Sequence, residues 1–348
     1  MRRHLIFALL VLLLGALAPA AAAAKPWIGV RANHLVNRAG APVRLLGVNR
    51  SGAEYECVEG ESVFDGPVNY ASIRAMKSWH INAVRVPLNE SCWLGINGIA
   101  PSLGGLAYRL AVREYVDRLE RAGLYVILDL HWAAPGKNQA TGPIPLPDAE
   151  HASAFWSSLA SEYRGDRSVL FDLYNEPHNV TWECWVGPCT VTDSYFGTYE
   201  VSGLPQLLAV VRATGARQPV MLGGLEWAAN LRGWLAHRPF DPAHAIVASN
   251  HSYNFTPCYA SCRAVLARVA RKVPLVTGEL GETDCRHAYI DSYMRWADRH
   301  GVSYLGWNWG AGGRWSCEGG PSLIRNYAGQ PTRFGAGLRS HLRQLARP

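Results

Sequence analysis

Val169-Leu170-Phe171-Asp172-Leu173-Tyr174-Asn175-Glu176-Pro177 and Val273-Pro274-Leu275-Val276-Thr277-Gly278-Glu279 are two apolar runs, each closing on a glutamate. Runs of this length, rich in β-branched and aromatic residues, read as strands buried on both faces of a parallel sheet. Six further stretches read the same way, so that strands are expected over 45–49, 83–87, 125–131, 169–175, 219–223, 246–250, 275–279 and 303–308. Helical periodicity fills intervals between them, over 107–122, 149–163, 204–213, 262–271 and 288–300. Strands alternating with helices are the mark of parallel βα units. Eight of them predict a single (β/α)8 TIM barrel, a closed α/β fold. An open doubly wound sheet is the alternative, but no Gly-rich phosphate turn follows the first strand.

In such a barrel, functional groups gather at the C-terminal ends of the strands. Arg85, His131, Asn175, Glu176, Glu279 and Trp307 all fall there, with His251 and Tyr253 just beyond the sixth strand. The segments that follow, 89–105, 132–147 and 178–203, are long and rich in Gly, Pro, Asn and aromatic residues, as loops lining a cleft would be. Trp93, Trp132, Trp182, Trp185, Tyr195 and Tyr199 lie in them and are candidate platforms for a flat apolar ligand face. Glu54, Glu56 and Glu282 are further acids near the expected mouth and read as ordinary solvated residues.

The chain opens with Met1-Arg2-Arg3-His4, then an apolar run to about Leu17, then Ala18-Pro19-Ala20 and more alanines. A basic start, a short apolar stretch and small residues predict a secretory signal peptide over 1–24. The run is shorter than the ~20 apolar residues that span a bilayer. A catalytic barrel domain over 25–348 is expected to remain, secreted and free of the membrane. The formal charge is +7, but the basic residues are scattered, so no nucleic-acid partner is expected. Eight cysteines in an exported chain point to disulfides. Spacing alone leaves about 105 pairings open. Cys184 with Cys189 and Cys258 with Cys262 are close enough to close small loops, and Cys57 with Cys92 and Cys285 with Cys317 would then join neighbouring loops. No Cys-x-x-Cys pattern supports zinc, so no metal is expected. Asn89, Asn179, Asn250 and Asn254 stand in Asn-x-Ser/Thr sequences.

The ordered set Arg85, His131, Asn175, Glu176, His251, Tyr253, Glu279 and Trp307 resembles the signature of glycoside hydrolase family 5, the cellulase-type retaining (β/α)8 glycosidases, over nearly the whole mature chain. The Asn175-Glu176-Pro177 triplet is the most specific element of the likeness. The resemblance implies Glu176 as general acid/base and Glu279 as nucleophile, with Arg85 and Tyr253 attending Glu279. It further implies Asn175 on the sugar 2-hydroxyl, His131 and His251 in supporting contacts, and Trp307 beneath the sugar whose bond breaks. Two carboxylates at one mouth suit glycosidic cleavage and need no cofactor. The expected partner is a polysaccharide or oligosaccharide, and the expected state a monomer. A β-1,4-glucan cleaved internally is the leading substrate. Exo action on a mannoside, a β-1,3-glucan or a furanoside, or a barrel that only binds carbohydrate, stays open. The segments 50–55, 279–282 and 306–310 depart from common endoglucanase versions, so the loops leave the sugar undecided. No Gly-x-Ser-x-Gly elbow or His-Glu-x-x-His helix supports an esterase or metallohydrolase.

Overall fold

The structure is a computed structural model that describes residues 25–256, 258–318 and 320–347. The expected signal peptide over 1–24 lies outside the described residues. All eight expected strands form: β1 (Leu46–Asn49), β2 (Ala83–Asn89), β3 (Tyr125–Trp132), β4 (Val169–Asp172), β5 (Val220–Gly223), β6 (Ile246–Tyr253), β7 (Leu275–Gly281) and β8 (Ser303–Gly306). Each pairs in parallel with the next, and β8 pairs with β1 through Tyr304 and Leu46 to close the barrel. The closure excludes the open-sheet alternative. Helices α1 (Tyr70–Lys77), α2 (Leu106–Arg121), α3 (Ala152–Tyr163), α4 (Leu204–Ala213), α5 (Trp234–His237), α6 (Ala260–Ala270), α7 (Ala288–His300) and α8 (Arg333–Leu345) follow the strands of the same number.

The outer helices form because each offers one apolar stripe to the sheet. On α2, Tyr108, Val112, Tyr115 and Leu119 recur every three to four residues and are fully buried. On α8, Phe334, Leu338 and Leu342 do the same, with the Thr332 hydroxyl accepting from Gly335 N–H at the start. Gly335 weakens the local helix signal, yet it is required: a Cβ there would stand 1.9 Å from the Leu323 carbonyl oxygen. No helix among the described residues is long and apolar enough to cross a membrane.

Side chains alternate in and out along each strand. Ala83, Ile127, Leu170, Met221, Val247, Val276 and Leu305 form a compact apolar layer inside the barrel. Ile28 and Leu35 belong to the same cluster. Leu35 belongs to, and Ile28 directly precedes, an N-terminal antiparallel sheet, Gly29–Arg31, His34–Val36 and Pro42–Val43, that plugs the bottom. Two residues further along the strands, the inward positions become polar: Arg85, Asp129 and Asp172, all buried. The apolar layer therefore ends where the site begins.

Four disulfides form, Cys57–Cys92, Cys184–Cys189, Cys258–Cys262 and Cys285–Cys317, and no described cysteine is free. Cys57–Cys92 ties the loop after β1 to the loop after β2 across 35 residues of chain. A crosslink of that reach restricts the unfolded chain, so replacing both cysteines by serine should cost about 3–4 kcal/mol in chemical denaturation. An unchanged unfolding midpoint would show that the loop is held without it.

The aromatic loop residues divide in a way that composition does not show. Trp93, Trp185 and Tyr199 are buried core residues, and Tyr195 is 90% exposed, so they do not form a row of platforms. Trp185 donates its indole N–H to the Gly223 carbonyl at 2.9 Å. Of the Asn-x-Ser/Thr asparagines, Asn89 and Asn250 are fully buried, which leaves no room for a glycan there, while Asn179 is exposed.

Candidate active site

The site sits at the C-terminal mouth, and backbone irregularity sets its central acid. Asn250 pairs with Thr277 but His251 pairs with Glu279, so Gly278 is an extra residue bulged out of register. Such a bulge re-aims the next side chain, here turning Glu279 toward the barrel axis. Gly278 suits the bulge because a Cβ there would stand 3.1 Å from His251 Nε2. Its carbonyl accepts from Asn49 Nδ2 at 2.9 Å, which anchors the irregular segment to β1.

Arg85 is the hub. It is fully buried and donates from Nη1 to Glu279 Oε1 at 2.9 Å and to Asn49 Oδ1 at 3.0 Å. Nε donates to Asp172 Oδ2 at 3.0 Å, and Nη2 to Asn175 Oδ1 at 2.9 Å. Nη2 also lies 3.0 Å from Asp129 Oδ2. One cation thus faces three buried carboxyl groups. Burial pushes the Asp129 and Asp172 carboxyls up to about 7, against the pull of Arg85. Burial alone would lower the Arg85 pKa, but Asp129, Asp172 and Glu279 together hold it above its ordinary value.

Glu279 also accepts from the Tyr253 hydroxyl at 2.5 Å, so each of its oxygens has a fixed donor. Glu176 has a different environment. It contacts His251 Nδ1 at 2.8 Å, and its side chain is 18% exposed against 5% for Glu279, so it opens more to the cleft. Burial pushes the Glu176 carboxyl up to about 7, although His131 and Arg85 oppose the shift. Burial also pulls the His251 imidazole down to about 3. His251 is therefore a neutral partner at ordinary pH. His131 pairs through Nδ1 with Asp129 Oδ2 at 2.6 Å and stacks on Trp307, ring centroids 5.4 Å apart.

All eight sequence-selected residues converge on this mouth. A cleft of about 440 Å³ is lined by His131, Glu176, His251, Tyr253, Glu279 and Trp307, while Arg85 and Asn175 lie beneath, in contact with them. Carboxylate oxygens of Glu176 and Glu279 and a ring nitrogen of His251 lie within 4.8 Å of one another. These three offer a conceivable cation site, but the same atoms are engaged with one another, His251 Nδ1 with Glu176 at 2.8 Å and with Glu279 at 3.5 Å.

Several site residues were not legible at the outset. Asn49, Asp129 and Asp172 hold Arg85, and the available signal was their inward parity, two residues past the apolar layer. Trp227 and Phe255 line the cleft from the loops after β5 and β6, and are 42% and 63% exposed. Two of the acids read as solvated are buried. Glu54 accepts from the Ser51 hydroxyl and from Gly52 N–H, and Glu282 accepts from Tyr289 and Ile290 N–H, both at 3.1 Å, at the start of α7. Buried carboxylates need such donors, and free backbone N–H groups at a loop or helix start supply them. Glu56 is half-buried, as a rim residue would be.

Residues 36–313 match the cellulase family, glycosyl hydrolase family 5. An endoglucanase, CelA, of Streptomyces lividans is 25% identical over 79% of this chain and 54% of its own length. The endoglucanase MaCel5A of Microbulbifer sp. is 22% identical over 80% of this chain and 50% of its own. The chain therefore spans about half the length of these relatives. Among solved structures, the β-glucanase SdGluc5_26A of Saccharophagus degradans, in complex with cellotetraose, superposes with a TM-score of 0.70 at 17% identity, covering 93% of this chain and 94% of the other. An endocellulase of Pyrococcus horikoshii superposes with a TM-score of 0.66 at 18% identity, covering 92% and 99%. At these identities the structural likeness speaks for the fold.

Proposed function

The chain belongs to glycosyl hydrolase family 5, and from that premise we propose that it is a secreted, monomeric retaining glycosidase that cleaves β-1,4-glucan by double displacement. The observation that carries this reading is the approach of the Glu176 and Glu279 oxygens to within 4.8 Å. Retaining enzymes hold their carboxyl groups ~5–5.5 Å apart, whereas inverting enzymes leave ~6.5–9.5 Å for a water.

The two environments divide the labour. Glu279, oriented by Arg85 and Tyr253, attacks the anomeric carbon. As the glycosidic C–O bond breaks, Glu176 gives its proton to the leaving oxygen, and a glycosyl ester on Glu279 remains. Water then enters beside Glu176, which takes a proton from it. The water oxygen bonds the anomeric carbon, and Glu279 departs as a carboxylate. Because Asn175 Oδ1 is occupied by Arg85, its amide N–H₂ is the group left to donate to the sugar 2-hydroxyl. Trp307 offers a flat face beneath the glycone ring. No step requires a metal or organic cofactor. The cellulase family and its endoglucanase relatives support the choice of sugar, and the basic, apolar and alanine-rich sequence of residues 1–24 supports export.

Glu176→Ala should slow substrates with poor leaving groups by about 10²–10⁴-fold and spare activated aryl glycosides at the first step. Azide should restore turnover by attacking the glycosyl ester. No leaving-group dependence and no azide product would remove Glu176 from the role. Since its pKa is raised to about 7, the protonated acid is present below that value and lost above it. In wild type, kcat/KM should therefore fall on the alkaline side with a midpoint near 7, and the limb should vanish in Glu176→Gln assayed on an activated glycoside. A limb that persists unchanged in the variant assigns it to another group.

A further inference from the structure

The two ends of the cleft are built differently. At one end, exposed Trp227 donates its backbone N–H to the carbonyl of Pro177, next to Glu176, and exposed Phe255 stacks on Tyr253 with ring centroids 4.9 Å apart. At the other, the loops after β1 and β8 meet in a row of touching rings. Trp315 stands 6.3 Å from Trp307 and 6.1 Å from Tyr55, centroid to centroid, and Tyr55 stands 6.4 Å from Trp132. A sugar stacked on a ring sits about 3.5–4 Å from it, so a chain threading between two rings needs roughly 7–8 Å. No neighbouring pair in this row leaves that space. The hollow beyond it, lined by Glu56, Glu61, Asp65 and Arg314 among others, shares no lining residue with the catalytic cleft.

The row is pinned rather than incidental. Asp65 Oδ2 accepts from Trp315 Nε1 at 2.8 Å and from the Tyr55 hydroxyl, while Asp65 Oδ1 pairs with buried Arg50 at 2.5 Å. The Arg314 guanidinium lies 4.0 Å over the Tyr55 ring. Two of the wall rings are two residues from a disulfide: Tyr55 precedes Cys57, bonded to Cys92, and Trp315 precedes Cys317, bonded to Cys285. Covalent ties and one half-buried carboxylate thus hold both loops against outward movement.

The acid marks the leaving-group side, so the open end receives the departing chain and the ring wall stands on the glycone side, next to Trp307. Given the glucan-cleaving activity proposed above, on which this rests, we propose that the Tyr55–Trp132–Trp315 wall, positioned by Asp65, closes the glycone end, so that the enzyme engages the non-reducing end of a β-glucan and releases short sugars from it. The wall excludes a long glycone, which an internal cut requires.

Cellohexaose labelled at its reducing end reports the position of the cut, and a soluble cellulose derivative reports viscosity lost per new reducing end. Wild type should release an unlabelled mono- or disaccharide and lower viscosity slowly. Trp315→Ala, at a partly exposed position, should move cuts toward the middle and raise the viscosity loss per bond several-fold. Internal cuts by wild type, with a fast fall in viscosity, overturn the closed end even if the variant does not fold. If neither glucan is cut by wild type, the proposed activity fails, and the wall has no glucan to exclude.

Discussion

Glu279→Gln is expected to fold as wild type does and to lose about 10⁴-fold or more in kcat/KM, a deficit of ~5.5 kcal/mol in transition-state stabilisation. The amide matches the carboxylate in shape, and its oxygen still accepts from Arg85 Nη1, so the buried network keeps one of its two contacts at this position. The chemistry has no substitute. In the proposed mechanism an amide does not form the glycosyl ester, and the nearest other acid, Glu176, serves proton transfer on the leaving-group side. A 2-fluoro glycoside with a good leaving group should label wild type covalently, with the added mass on the peptide carrying Glu279, and should leave Glu279→Gln unlabelled. Retention of most activity, or label on a different peptide, would displace Glu279 as nucleophile.

Arg85→Ala is expected to have the largest effect on stability. It strips the only described cation bonded to Asp129, Asp172 and Glu279, all buried. Removing one member of a buried ion pair costs about 3–5 kcal/mol because the partner charge stays behind, and here three carboxyl groups share one partner. The loss should depend on pH with a definite sign. Asp129 and Asp172 titrate near 7 in the folded protein, above their unfolded value of about 3.9. A carboxyl raised by folding contributes stability in full below its unfolded pKa, and that contribution is lost as pH rises through the folded one. Without Arg85 the carboxyls rise further, so the gap between variant and wild type should be small at pH 5 and wide at pH 8. Denaturation curves at the two pH values decide it. Equal stability at pH 8 would mean that water or a neighbouring donor replaces the guanidinium.

Much of the barrel was legible because the needed information is local. A strand buried on both faces must be apolar over its own few residues, and eight such runs, from 45–49 to 303–308, announced themselves. Position at the strand ends then carried Arg85, His131 and Glu176 to the mouth, because functional groups of such a barrel gather at that end. Periodicity marks no helix at α1, α5 or α8. The first two are short, and the third carries Gly335 and Gly337 for close packing, which lowers the very propensity that marks a helix.

Chain order alone determined the βα alternation, the placing of eight polar and aromatic residues at strand ends, and the set of cysteines available to neighbouring loops. Tertiary structure decided what depends on distance through space. It set the bulge at Gly278 that turns Glu279 inward, and it gathered Asp129 and Asp172 around Arg85. It buried Trp93 and Trp185 while leaving Trp227 exposed, although all three are loop tryptophans. It also joined Tyr55 to Trp315 from opposite ends of the chain. The physical reason is range: backbone periodicity acts over a few bonds, whereas desolvation, ion pairing and ring contact act between groups that only the folded chain brings within a few ångströms.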